Sequence, residues 1–124
     1  VVNYTLNLSQ GLKPVAIIAI EVNGKVYEGA STGDGQYDAF VKAIRKIYKE
    51  QLGRTFPLLT NYTVNIPPGG RTDALVQTVI SWDYNGSVLK TQGLDADQME
   101  AAIQATIKML NLIEDKTTNH TVKN

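Results

Sequence analysis

The pentapeptide YTLNL beginning at Tyr4 returns as YTVNI beginning at Tyr62, and this echo constrains the fold more than any other feature of the chain. The same spacing pairs Asn7 with Asn65, Gly11 with Gly69, Ala16 with Ala74 and Ile18 with Val76. If Ser81–Tyr84 are taken as four residues inserted in the second copy, the match resumes beyond them. Asn23-Gly24 then meets Asn85-Gly86, Val26 meets Val88, Gln36 meets Gln98, Ala39 meets Ala101 and Ala43 meets Ala105. The chain reads as one unit written twice.

Periodicity gives each unit the same elements. Residues 2–8 alternate as a short strand, and Val15–Val22 is a nearly continuous apolar run, the pattern of a strand covered on both faces. Asn23-Gly24 supplies the two left-handed residues of a type I′ hairpin, so 25–32 returns antiparallel. From Gln36 to Leu52 the period becomes helical, with Tyr37, Phe40, Val41, Ile44, Ile47 and Tyr48 on one face and Gly53 as the stop. The second copy predicts strands at 60–66, 72–83 and 87–92, with Pro67-Pro68-Gly69-Gly70 breaking the first from the second. A helix over 96–113 follows, carrying Met99, Ile103, Thr106, Ile107 and Leu110 inward, with Asp95 and Gln98 spaced as a capping pair. After it comes a polar, fraying tail. The fold class is α+β: an internal pseudo-twofold repeat of two βββα units, antiparallel three-stranded sheets packed with two helices.

Composition excludes several function classes. Twelve basic and twelve acidic residues leave no net field to draw nucleic acid or an anionic membrane. The absence of cysteine removes disulfides and thiolate nucleophiles. No apolar run approaches the roughly 18 residues of a membrane span and no basic-then-apolar leader opens the chain, so the expectation is a cytoplasmic protein. The first residue is Val, which fits a piece of a longer chain. Five Asn-x-Ser/Thr triplets, at Asn3, Asn7, Asn61, Asn85 and Asn119, would signal glycosylation in a secreted protein, but three of them fall in expected strands.

The chemical inventory is thin. His120, the one histidine, lies in the polar tail with no partner near it in sequence, and reads as a surface residue. No cluster has metal-ligand spacing. Asp34, Asp38, Asp95 and Asp97 stand where helices begin, where capping and the helix dipole stabilise by about 0.3–2 kcal/mol each. The stretch STGDGQYDAF lacks the Gly-Lys-Ser/Thr ending of a P-loop and the third glycine of a dinucleotide fingerprint. It leaves two readings open: a tight turn, or a backbone approach to a small anion at a helix N-terminus. With Asp38 one turn further on to pair an ammonium, the second reading suits a free amino acid.

These features converge on a known family. GDGQYDAFVKAI resembles the G-x-G-P-x-D-A-x-x-x-A signature of the C-terminal regulatory domain of 2-isopropylmalate synthases and the related citramalate synthases, with Gln36 where the signature has proline. NYTVNI, GGRTDALVQTVI and TQGLDADQMEAAIQATIKMLN resemble its later blocks, in order and with similar spacing, so the likeness covers nearly the whole chain. It implies a single regulatory domain over 1–124, with repeat one at about 1–53, repeat two at about 58–113 and a polar tail at 114–124. It also implies a homodimer that binds leucine as feedback inhibitor near the dimer interface. The catalytic partner would be an N-terminal TIM-barrel domain elsewhere in the full-length chain, condensing acetyl-CoA with 2-oxoisovalerate with the help of a divalent metal; this segment itself would be non-catalytic and carry no cofactor.

Carried over residue by residue, the resemblance assigns Gly33 and Gly35 to the loop closing on the amino acid, followed by Tyr37 and Asp38, with Asp38 taking the ammonium. Leu58, Asn61 and Asn65 match ligand-facing positions at and beyond the next strand, and Ala74 and Val76 match small apolar positions in the strand after it. Tyr37 reads equally as a core residue of its helix, and Asn61 and Asn65 as residues facing water or an interface. Three other functions remain in view: an isoleucine sensor of a citramalate synthase, a dimerisation domain with no working ligand site, and a stand-alone α+β catalyst using its aspartates.

Overall fold

The computed structural model describes residues 2–66 and 75–122, the side chains of 117–122 excepted. It contains β1 (Asn3–Ser9), β2 (Val15–Val22), β3 (Lys25–Thr32) and α1 (Gln36–Lys46), whose end widens into a π-helical turn, Ile47–Leu52. Then come β4 (Leu58–Asn65), β5 (Val76–Tyr84), β6 (Ser87–Asp95) and α2 (Gln98–Val122). The chain divides into two compact units, Val1–Phe56 and Pro57–Asn124, each a three-stranded antiparallel sheet followed by a helix. The α+β, twice-written βββα reading is the observed fold.

In the first unit the sheet order is β1-β2-β3, and α1 packs on β2 and β3. Ala16, Ile18, Ile20 and Val22 are buried, as are Ala39, Phe40, Val41, Ala43, Ile44, Ile47 and Tyr48. Covering of β2 on both faces is not observed: Ile17 is 55% exposed, and Val15, Ala19 and Glu21 are half-buried. A three-stranded antiparallel sheet with its helix on one side buries one face, and the continuous apolar run conceals that alternation. Tyr37 is half-buried at the edge of the helix face. The second unit repeats the order as β4-β5-β6 with α2 on β5 and β6. Trp82 lies fully buried, its Nε1–H donating to Thr91 Oγ1 at 3.1 Å. On α2, Ile103, Thr106 and Leu110 are buried as expected, joined by Ala102, Met109 and Ile113, while Met99 and Ile107 are half-buried.

Both hairpins turn on Asn-Gly. Asn23 (φ 53°) and Gly24 (φ 80°) are matched by Asn85 (φ 54°) and Gly86 (φ 85°), the left-handed pair that a right-twisted hairpin needs. These turns fix the correspondence of the copies and correct the position of the insertion. Val22 pairs with Lys25 as Tyr84 pairs with Ser87, so Ser81–Tyr84 are the counterparts of Ala19–Val22 and not an insertion. The extra residues lie in the connection from β4 to β5, 66–75, which replaces the shorter 10–14 of the first unit. Ile18 therefore corresponds to Ile80 rather than Val76, and Ala16 to Thr78. The expected break at Pro67–Gly70 and the expected strand start at 72 fall outside the described residues. At the other end α2 runs on to Val122 instead of stopping near Ile113, since the segment after Glu114 contains neither glycine nor proline to end it.

Each third strand is an edge, and each helix covers part of it. Lys46 Nζ donates to Ala30 O at 3.4 Å, and its counterpart Lys108 donates to Gln92 O at 2.8 Å. Gln51 Nε2 reaches Glu28 O at 2.7 Å, and Gln104 Oε1 accepts the Leu94 N–H at 3.0 Å. Such contacts occupy edge groups that would otherwise pair with a foreign strand.

Glycine lets the helices come this close. A Cβ on Gly29 would lie 2.7 Å from Ile47 Cγ1, and one on Gly93 would run into the Ala101 carbonyl. At Gly35 an added Cβ would meet nothing. Gly93→Ala is therefore expected to cost about 3 kcal/mol through overpacking, and Gly35→Ala about 1 kcal/mol or less, as read by urea unfolding of the two variants side by side.

Candidate functional site

The turn between β3 and α1 is built by two glycines with different duties. Gly33 donates its N–H to Pro14 O at 3.1 Å, and a Cβ there would sit 2.7 Å from Ala39 Cα, so packing of the turn onto the helix requires glycine. Gly35 is the N-cap of α1, with an extended backbone (φ −136°, ψ 175°) open to any residue. Its carbonyl accepts the Ala39 N–H at 3.0 Å, and no side chain caps the helix. Neither backbone angle nor packing asks for glycine at this position.

The second unit closes the same place. Asp97, which corresponds to Gly35, accepts the Met99 N–H on Oδ1 at 2.8 Å and so caps α2. Asp95 does not form the expected pair with Gln98. Its Oδ1 accepts the Asp97 N–H at 2.9 Å and its Oδ2 accepts from Gln104 Nε2 at 3.3 Å. One helix start thus carries an aspartate oxygen over its amides, and no side chain caps the other.

Asp38 stands third in α1. Its Oδ2 accepts the Asp34 N–H at 2.9 Å and pairs with Lys42 Nζ at 3.0 Å. The Asp34 N–H first, and Lys42 after it, hold the Asp38 carboxyl below its usual 3.8. The side chain is 41% exposed, and among the described residues its Oδ1 takes no hydrogen bond. Lys42 was not among the residues expected at the site, although its i,i+4 spacing from Asp38 was visible in the sequence. Tyr37 turns its ring toward Phe40, with centroids 6.0 Å apart.

The remaining expected residues belong to the second unit. Residues directly opposite in a ladder share a face, so Leu58 (opposite Asp83), Asn61 (opposite Ser81) and Asn65 (opposite Gln77) lie on the helix-free face of the sheet. An irregularity between Leu59 and Asn61 brings Leu58, 62% exposed, into phase with them. Asn61 Oδ1 accepts its neighbour's N–H, from Tyr62, at 3.0 Å. Asn65 Nδ2 donates to Gln77 Oε1 at 3.3 Å, and Gln77 Nε2 donates to Gln92 Oε1 at 2.9 Å, a polar ladder across three strands that the sequence did not announce. Asn3 bonds Glu21 in the same way on the first sheet, at 3.0 Å. Val76 is in phase with Ile80 and Trp82 and belongs to the opposite, helix-packed face. Ala74 lies outside the described residues. The second unit thus gathers Leu58, Asn61 and Asn65 on one face and sets Val76 on the other.

No group of three metal-ligating side chains occurs among the described residues, and no described helix is long and apolar enough to cross a membrane.

Comparison with known proteins gives the geometry its family. The model of the LeuA allosteric (dimerisation) domain matches residues 1–114. A 2-isopropylmalate synthase of Syntrophus aciditrophicus is 36% identical over 101 residues, 82% of this chain and 18% of that protein. A 2-isopropylmalate synthase of Methanocaldococcus jannaschii is 30% identical over 100 residues, covering 81% and 18%. A putative (R)-citramalate synthase of Methanosphaerula palustris is 30% identical over 109 residues, covering 87% and 21%. The chain spans about a fifth of the length of these curated relatives.

The state of Asp38 has a consequence for stability. Its carboxyl titrates lower in the folded chain than in the unfolded one, so the stabilisation is present above the ordinary value of 3.8 and is lost as pH falls through the folded value. Asp38→Asn should cost about 0.5 kcal/mol near neutral pH, discounted for its exposure. Urea unfolding as a function of pH should show the gap between the two proteins closing below about pH 4.

Proposed function

The chain belongs to the LeuA allosteric (dimerisation) domain family, and from that premise we propose that it is the amino-acid-sensing module of a 2-isopropylmalate synthase, binding leucine as feedback inhibitor. The observation that carries this reading is the difference between the two helix starts, an open glycine at Gly35 against a capping aspartate at Asp97. The leucine carboxylate takes the amides at the start of α1, where the dipole favours an anion. Its ammonium takes Asp38 Oδ1. Gly33 holds the turn against α1, and Tyr37 flanks it.

Leu58, Asn61, Asn65, Ala74 and Val76 are proposed from the resemblance as effector-contacting positions of the second unit; Leu58, Asn61 and Asn65 share a face there, and Val76 lies on the other. The module works as a homodimer in the cytoplasm, attached to a TIM-barrel catalytic domain. The condensation of acetyl-CoA with 2-oxoisovalerate and its divalent metal belong to that domain, and this segment is non-catalytic. The citramalate synthase among the relatives keeps an isoleucine-sensing role as the second reading.

Titration calorimetry of the chain with leucine, isoleucine and valine tests the proposal. Saturable binding with leucine tightest supports it, a preference for isoleucine moves it to the second reading, and no binding by a folded dimer leaves only an assembly role. A sharper arm is Gly35→Asp, which gives α1 the cap that α2 has. It should weaken leucine binding by about tenfold or more while helix stability holds or rises by about 0.3 kcal/mol. Asp38→Asn should weaken binding as strongly, with fold and dimer intact.

A further inference from the structure

We propose that the first unit carries a second anion site, on the outer face of α1 and its π-helical extension, whose ligand is a small oligophosphate such as the phosphate chain of a nucleotide. Lys42, Arg45, Lys46 and Lys49 recur at intervals of three and four, so their side chains stack along one side of the helix over about 10 Å. They line a cleft of about 390 Å³ that begins at Ser31 at the end of β3, with Glu50 the single acid in its wall. From Arg45 and Lys49 the surface continues into a second hollow past Gly53 to Arg54 and Phe56.

These cations are poorly compensated. Lys42 is paired with Asp38, but Arg45, Lys46 and Lys49 make no ion pair among the described residues. Two of them are held in place by uncharged partners: Lys46 by Ala30 O, and Arg45 by the face of Phe56, with the guanidinium 5.8 Å from the ring centroid. Preorganised cations lose less side-chain entropy when an anion arrives. A helix face kept merely for solubility intersperses both signs.

The repeat shows which charges the fold requires. In α2 the counterparts of Lys42, Arg45 and Lys49 are Gln104, Ile107 and Asn111, and only Lys46 is preserved, as Lys108. That one lysine has the shared task of covering the edge strand in both units. The other three are additions to the first copy alone, in a chain whose basic and acidic residues balance overall.

Several cations in file suit an anion with several charges close together, as linked phosphates have. A single carboxylate would occupy one of them. Single-stranded nucleic acid also needs open aromatic faces for stacking, whereas Phe56 here has Arg45 over its ring and Tyr48 against it, with centroids 5.5 Å apart.

The experiment is titration calorimetry of the chain with sodium tripolyphosphate, ATP and a single-stranded oligonucleotide, at about 50 mM and about 300 mM salt. Saturable tripolyphosphate binding at low salt is expected, weakened by about tenfold or more in Arg45→Ala/Lys49→Ala and at the higher salt. Lys49→Glu, which reverses the charge at the end of the file, should do the same. Gly35→Asp, which closes the α1 N-terminus, should leave tripolyphosphate binding within about twofold, so this site and the leucine site stand or fall separately. ATP binding as tightly as tripolyphosphate assigns the ligand to the phosphate chain alone, and tighter binding adds a nucleoside contact; both support the site. Absence of saturable binding at low salt, binding indifferent to Lys49→Glu, or preference for the oligonucleotide would overturn it.

Discussion

The contact of each helix with the third strand of its own sheet positions everything else. In the first unit Gly29 admits Ile47, and in the second Gly93 admits the backbone of Ala101 at the very start of α2. Helix and strand then lie too close for any side chain between them, and the helix can neither slide nor rotate without a clash. The buried residues Ala39, Phe40, Ala43 and Ile44 of α1, with Ile47 of its π-helical turn, are locked onto the sheet. What remains on the outside follows by geometry: the N-terminus at the end of the β3 turn, Asp38 beside it, and the file of cations beyond.

Given that shared scaffold, the two copies act as controls for one another. Features present in both, such as the Asn-Gly hairpins and the edge-covering Lys46 and Lys108, are explained by the fold. Features present in one need another cause. Gly35 against Asp97 is the clearest case, because aspartate is the better cap and the backbone at Gly35 would accept it. The first unit forgoes that stabilisation. The same comparison argues against reading much into Asn61 and Asn65 alone, since Asn3 and Asn7 occupy equivalent places on the first sheet and Asn3 is engaged in a cross-strand bond.

Much of the fold was legible because its strongest signals are local. Asn-Gly marks both hairpins, and the change from strand to helical period marks both helices. Signals fixed by pairing across the sheet were less legible. The matches of Ala16 with Ala74 and Ile18 with Val76 are real identities or near-identities, yet strand register runs from the hairpin, which moves the extra residues to the β4–β5 connection. The run Val15–Val22 hid its sidedness because Ile17 and Ala19 are apolar on the open face too. At the candidate site, the start of α1 around Gly33, Gly35 and Asp38 was readable from their spacing, while the engagement of Asp38 by the Asp34 N–H and Lys42 depends on how the turn folds back on the helix. The polar ladder Asn65–Gln77–Gln92 joins three strands and has no sequence signature.

Lys42 lies between the two proposed ligands, and the strength of its bond limits what it can transmit. An oligophosphate that drew Lys42 away would leave Asp38 less compensated and so more attractive to an ammonium, and by linkage leucine would favour the oligophosphate equally. The Asp38–Lys42 pair is exposed, with 41% and 44% of the two side chains accessible, so its contribution is about 0.3–0.5 kcal/mol. That converts to a coupling of only about twofold. Charge relay along α1 is therefore too weak to serve as a feedback switch. For the proposed feedback role, a signal of useful size would instead require a ligand-dependent difference in how the whole of α1, pinned at Gly29 and Gly33, presents itself to its surroundings.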